Sequence, residues 1–177
     1  GALVAYEKAA KLAPRSAEIE DEIGFLLAVL KRNNEAKQHF ERAVQLAANY
    51  APAHYHLGVL HGAEQDRNGA ITHLEAAVKL APANSEYHYR LGTAYYEVGR
   101  NADAIPRLKN ATHFDPGNAK AWAALGSALE KTGALMEARD AYRTALEIDP
   151  ADLHTRNSLG FMLVQTRDAE KGIEEFR

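Results

Sequence analysis

The chain has 177 residues, 46% of them hydrophobic and 25% charged, the balance of a soluble globular protein long enough to bury a sizeable core. A net charge of -3 is the wrong sign for displacing counterions from phosphates, so no nucleic-acid partner is expected. The absence of cysteine excludes disulfides and thiolate chemistry, and no apolar run approaches the roughly 18 residues of a membrane span, so no membrane partner is expected either.

Residues 2–13 open the chain as an amphipathic helix and lack the apolar core and cleavage site of a signal peptide. Helices are then predicted at 17–31, 33–47, 51–65, 67–81, 85–98, 101–115, 119–132, 135–149, 153–166 and 168–177, because apolar residues recur three and four apart in each, as at Trp122, Leu125 and Leu129. Turn residues separate them, such as Gly99-Arg100-Asn101 and Thr132-Gly133-Ala134. Sharper stops such as Asp115-Pro116-Gly117-Asn118 divide every second helix from the next, since proline cannot continue a helix and Gly or Asn tolerates a left-handed turn. Strand signals are absent from the sequence.

The helices repeat in pairs. Displaced by 34 residues, the sequence falls on itself: Gly24, Gly58, Gly92, Gly126 and Gly160 form one series, Ala36, Ala70, Ala104 and Ala138 a second, and Phe40, Leu74, Leu108 and Tyr142 a third. Ala43, Ala77, Ala111 and Ala145 form a fourth, and Pro14, Pro82, Pro116 and Pro150 close four units. The frames are 17–50, 51–84, 85–118 and 119–152, with partial units at 1–16 and 153–177, all in one domain spanning 1–177. Both ends cut through a unit, which implies a piece of something longer. The small residues mark places where a first and a second helix approach too closely for a larger side chain, the expectation being backbone against backbone. Leu3, Tyr6 and Ala10 on the opening helix, and Ile173 and Phe176 on the closing one, are expected to lie uncovered at the two ends.

Trp122, Leu125, Gly126, Ala138, Tyr142, Ala145 and Pro150 reproduce the pattern of the tetratricopeptide repeat (TPR), and Leu91, Gly92, Tyr95, Ala104, Ala111 and Pro116 match it one unit earlier. The chain resembles that family over its whole length. The resemblance implies an all-α, right-handed superhelical solenoid of antiparallel helix hairpins, whose concave face is lined by first helices and holds a peptide or helix from a protein partner. The departures lie in the Trp place, which holds Glu20, His54, His88 and Arg156 in the other units.

Mapped on the family pattern, the groove residues are Glu18, Asp21, Glu22 and Phe25, then Tyr55, His56 and Val59, then Glu86, Tyr89, Arg90, Thr93, Tyr96 and Glu97, then Lys120, Ala123, Ala124, Ser127, Glu130 and Lys131, then His154, Asn157, Ser158 and Phe161. The partner-binding set expected from these is Tyr55, His56, Tyr89, Arg90, Thr93, Tyr96, Lys120 and Ser127. Aromatic residues and Arg concentrate binding energy at interfaces. The carboxylate clamp of chaperone-binding relatives needs Lys, Asn, Asn, Lys and Arg. The matching places hold Asp21, Phe25, His56, Glu86 and Arg90 in the first window, where only Arg90 fits, Tyr55, Val59, Arg90, Lys120 and Ala124 in the next, where only Lys120 fits, and Tyr89, Thr93, Ala124, His154 and Ser158 in the last, where none does, so the clamp is missing.

Catalytic, cofactor and metal sites are not expected. His54, His56 and His61 are not spaced by three or four residues, so no two share a helix face as a metal pair requires, although His39 and His73 repeat at one unit's spacing. Ser127 follows a helical Gly rather than a strand-to-helix elbow, and the glycines are spaced for packing rather than for phosphates. The sequence therefore reads as a protein-interaction scaffold and not an enzyme. Two other readings stay open: a regulatory or substrate-recruiting arm of a larger enzyme, and a module that self-associates end to end. Its compartment is left open by the sequence.

Overall fold

The computed structural model describes residues 1–165. Among them are ten helices and no strand: α1 (Ala2–Leu12), α2 (Ala17–Val29), α3 (Asn33–Leu46), α4 (Ala51–Ala63), α5 (Arg67–Leu80), α6 (Ser85–Glu97), α7 (Asn101–Phe114), α8 (Ala119–Lys131), α9 (Leu135–Ile148) and α10 (Leu153–Gln165). Every start falls where the periodicity and turn residues place it. The helix expected at 168–177, with Ile173 and Phe176, lies outside the described residues.

Side-chain caps fix several starts. Ser16 accepts a hydrogen bond from the Ile19 amide, Asn84 from Tyr87 and Asn118 from Ala121, at 3.1 to 3.3 Å. α2, α4, α6 and α8 end one or two residues earlier than periodicity suggests, because the chain turns into the left-handed region just beyond them. Lys31, Gln65, Gly99 and Gly133 sit there with φ of 61°, 62°, 78° and 80°. At each the next amide reaches back to close the last turn: Arg32 to the Leu27 carbonyl, Asp66 to His61, Arg100 to Tyr95 and Ala134 to Leu129, at 2.9 to 3.0 Å.

The chain divides into two compact units, Gly1–Ala83 and Asn84–Arg177. In the first, hairpins α2–α3 and α4–α5 stack through α3 and α4, and α1 lies on α2. Its core is Ile23, Leu27, Ala36, Phe40, Leu57 and Leu60. Leu3, Tyr6 and Ala10, expected uncovered, pack against that core instead, and α1 turns Val4 and Leu12 outward. In the second unit hairpins α6–α7 and α8–α9 stack through α7 and α8, and α10 packs on α9. Leu91, Leu108, Leu125, Tyr142, Leu159 and Met162 are buried there.

Gly24, Gly58, Gly92 and Gly126 each face the large residue sixteen positions on. A methyl group at Gly24, Gly58, Gly92 or Gly126 would meet Phe40, Leu74, Leu108 or Tyr142 at 2.6 Å, and the partner helix backbone no closer than 3.1 Å where it is among the nearest atoms. The expected backbone-on-backbone approach is therefore corrected. The glycine is a hole for a side-chain knob, and the backbones close in around it. The alanines at 36, 43, 70, 77, 104, 111, 138 and 145 are at most 3% exposed and let the hairpins nest.

Candidate functional site

In the first unit the first helices α2 and α4 lie side by side. Glu18, Glu22, Phe25 and Val29 follow at helical spacing along α2, all exposed, with Phe25 46% and Val29 64% uncovered. Val59 of α4 is exposed as well. The His56 ring joins the two helices, 5.7 Å from Phe25, 5.3 Å from Tyr55 and stacked at 5.0 Å on buried Phe40. The result is an apolar and aromatic strip with two carboxylates at one end. Val29 was not among the groove positions that the family pattern picks out, although it stands one turn beyond Phe25.

Asp21 departs from the expectation of a solvent-facing groove acid. It is 3% exposed, and His56 Nδ1 lies 2.8 Å from its Oδ1. Burying a carboxylate requires a hydrogen-bonding or charged partner, and the next first helix supplies it. His56 thus couples two repeats besides presenting an edge of its ring.

In the second unit α6 carries Tyr89, Arg90, Thr93 and Tyr96. Arg90 is exposed, donates from Nε to Glu86 Oε1 one turn back at 2.6 Å, and lies 5.6 Å over the Tyr89 ring. The Glu86 contact pre-orients the guanidinium while leaving it at the surface. Tyr89 and Tyr96 are half-buried, and burial pushes the Tyr89 phenol above its ordinary value. The Thr93 hydroxyl donates to the Arg90 carbonyl at 2.9 Å, so its hydrogen goes to its own helix. Ser127 of α8 donates to the Ala123 carbonyl and lies 3.1 Å from the Tyr142 hydroxyl, which donates to Glu130 at 2.8 Å. Lys120 is exposed on α8. Thr93 and Ser127 are therefore tied into packing more than the aromatic residues are.

The Trp place gathers polar pairs that sequence spacing hid. In the first two full repeats the first-helix residue there meets the second-helix residue nineteen positions on. Buried Glu20 meets His39 Nδ1 at 2.7 Å, and Arg42 Nε beside it at 2.8 Å. His54 Nδ1 faces His73 Nδ1 at 3.2 Å. In the fourth repeat the same two places hold Trp122 and Ala141, which line an open groove of about 550 Å³ with Leu125, Leu129, Lys109 and Glu137. Testing for pairs on one helix missed these contacts, since they cross the hairpin. Among the described residues no group of three or more His, Asp or Glu is arranged to hold a metal ion, and no helix is long and apolar enough to cross a membrane.

Stacked hairpins with aromatic first-helix faces define an interaction scaffold of the helical-repeat class. Tetratricopeptide-repeat profiles match residues 22–50 and 89–152, and a related TPR profile matches 63–99. The chain belongs to the tetratricopeptide-repeat family and to its all-α solenoid fold class. Proteins of this family generally bind protein or peptide partners and are typically non-catalytic. Several solved structures share the fold. YrrB, a TPR protein with an unusual peptide-binding site, superposes at a TM-score of 0.88 with 23% identity, covering 97% of this chain and 88% of that one. MamA from Desulfovibrio magneticus RS-1 gives 0.83 with 24% identity over 90% of each chain, and another MamA structure 0.84 with 22% over 90% and 87%. Identities at this level establish the fold alone. Comparison with curated proteins gave no match.

Proposed function

We propose that this chain holds a peptide or helix of a protein partner against the inner faces of its first helices, in the concave groove the family uses, and without a carboxylate clamp. The observation that carries the reading is the strip of exposed Phe25, Val29 and Val59 beside half-buried Tyr55 and His56 in the first unit. Large apolar side chains left in water beside rigid aromatic rings are the composition of an interface core. In the second unit Tyr89, Arg90 and Tyr96 supply the same residue types, with Lys120 as an exposed cation. The burial of Asp21 against His56 supports the absence of a clamp, because the first clamp place then holds a carboxylate already used in packing. The YrrB peptide-binding site makes a peptide ligand a natural reading for this fold. In this reading Ser127 helps hold α8 against α9 through Tyr142, while Thr93 keeps its hydroxyl hydrogen on its own helix beside Arg90.

The test is capture from cell extract on immobilised chain, with Tyr89→Ala/Arg90→Ala and Phe25→Ala/Val59→Ala variants alongside. A partner retained by the native chain and lost by both variants, with unchanged helical circular dichroism, is the expected result. A partner retained equally by all three would place the site elsewhere.

A further inference from the structure

Three histidines meet inside the first unit's α4–α5 hairpin. His73 of α5 stands between His54 and His61 of α4, its ring 5.4 Å from each. His54 Nδ1 and His73 Nδ1 face each other at 3.2 Å, and His54 Nε2 lies 3.2 Å from the Ala48 carbonyl. His61 Nδ1 is 2.8 Å from Asp66 Oδ2, at the turn joining the two helices.

These distances fix the proton count. A carbonyl only accepts, so His54 Nε2 carries the hydrogen and donates to Ala48. In the neutral ring its Nδ1 is then the lone pair, and His73 Nδ1 must donate to it. One added proton can be shared across this contact, but protonating both rings would set two N–H groups head to head at 3.2 Å. A second proton on His73 would place a cation between two imidazoles and near the Lys37 ammonium of α3, which itself pairs with Glu64 at 2.9 Å. Among the described residues Asp66 is a carboxylate facing the cluster, at His61. One carboxylate can compensate one protonated ring, not three.

We propose that this cluster is a proton-operated weak point: with the rings neutral the α4–α5 hairpin is closed, and protonation in mildly acidic solution loosens it. Burial first, then His54, His61 and Lys37, holds the His73 ring below its ordinary value of 6.5, against a smaller opposing pull from Asp66. The folded hairpin therefore takes up this proton less readily than the unfolded chain. The stability tied to His73 is complete above the ordinary value and is lost as pH falls through it toward the lower folded value. The corresponding places two repeats on hold Trp122, Leu129 and Ala141, so the fold does not need imidazoles there. The inference is independent of where a partner binds.

The test uses the full chain. Amide hydrogen exchange, corrected for intrinsic rates, is followed in α4 and α5 at pH 7.5 and 5.5, with a His54→Trp/His61→Leu/His73→Ala variant that borrows the fourth repeat's residues. Protection in the native chain should fall several-fold, with a ceiling of about tenfold, on acidification, with little change in the variant and none in α8 and α9. Equal losses in native chain and variant would overturn the proposal. Should the variant not fold, the native chain still decides, by nuclear magnetic resonance titration of His73: a midpoint below 6.5 is expected, and one at or above 6.5 contradicts the proposal. Zinc ion added at pH 7.5 is expected to leave α4–α5 protection unchanged. A marked rise would make the facing nitrogens a metal bite and overturn the proposal as well.

Discussion

Gly126 lies against the ring of Tyr142, so that a single added methyl group would come within 2.6 Å of Tyr142 Cδ1. Tyr142 cannot swing aside easily, because it is buried and its hydroxyl is held by Glu130 and Ser127. Gly126→Leu is expected to cost on the order of 1–3 kcal/mol through overpacking. Gly126→Ala should also destabilise, although Ala gains roughly 1 kcal/mol in helix propensity. Urea unfolding of Gly126→Ala, Tyr142→Ala and the double variant checks this. The two changes should couple, the double variant losing less than their sum. Additive losses would mean that the two residues do not share one packing site.

Two helices end on a residue that dislikes its backbone. Lys31 and Gln65 hold φ near 60° where Gly99 and Gly133 hold the same place in later repeats. The left-handed conformation costs a side-chain-bearing residue about 1–2 kcal/mol and glycine little. Gln65→Gly should therefore stabilise the chain by roughly 0.5–1 kcal/mol after glycine's extra unfolded-state entropy. A lower melting temperature in that variant would contradict the cap geometry.

His56→Ala should destabilise the first unit strongly, by about 3 kcal/mol, because it strands the buried Asp21 carboxylate. His56→Asn, which keeps a donor, should lose less. Thermal unfolding followed by circular dichroism separates the two. A binding defect in a His56 variant consequently reports on folding before it reports on contact, and His56 should not be used alone to map the interface.

Burial, with the Glu130 charge, raises the Tyr142 phenol well above its ordinary value of 10.0, against smaller pulls from Ser127 and Ser158. The folded chain therefore keeps this proton when the unfolded chain would release it. The associated stability is complete below pH 10 and is lost as pH rises toward the folded value. In ultraviolet titration one tyrosine should ionise only as the helices melt, and Tyr142→Phe should remove that late step. A native chain whose tyrosines all ionise before the helical signal falls would contradict it.

The helix starts were legible because they rest on local chemistry: Ser16, Asn84 and Asn118 cap the helix that follows each of them. Phe40, Leu74, Leu108 and Tyr142 were visible as a series, as were the glycines, but their meeting at a distance of sixteen residues depends on how a hairpin closes. The histidine cluster was hidden for the same reason. A search for partners three or four residues apart sees one helix, whereas Glu20 with His39 and His54 with His73 are nineteen apart across two. That separation, repeated one unit later, was the available signal. Asp21 was misread because its groove position says nothing of His56 arriving from the next repeat.

Partner binding along the first helices is tested most directly by titration calorimetry of the captured partner. The native chain is compared with Tyr89→Ala/Arg90→Ala and with an outer-groove control, Lys109→Ala/Glu137→Ala, which removes an exposed ion pair on the second helices. With helical circular dichroism unchanged throughout, the Tyr89/Arg90 variant should lose about 2 kcal/mol or more of binding free energy and the control none. Undiminished affinity in the Tyr89/Arg90 variant, with a loss in the control, would put the partner on the second-helix face and contradict the account.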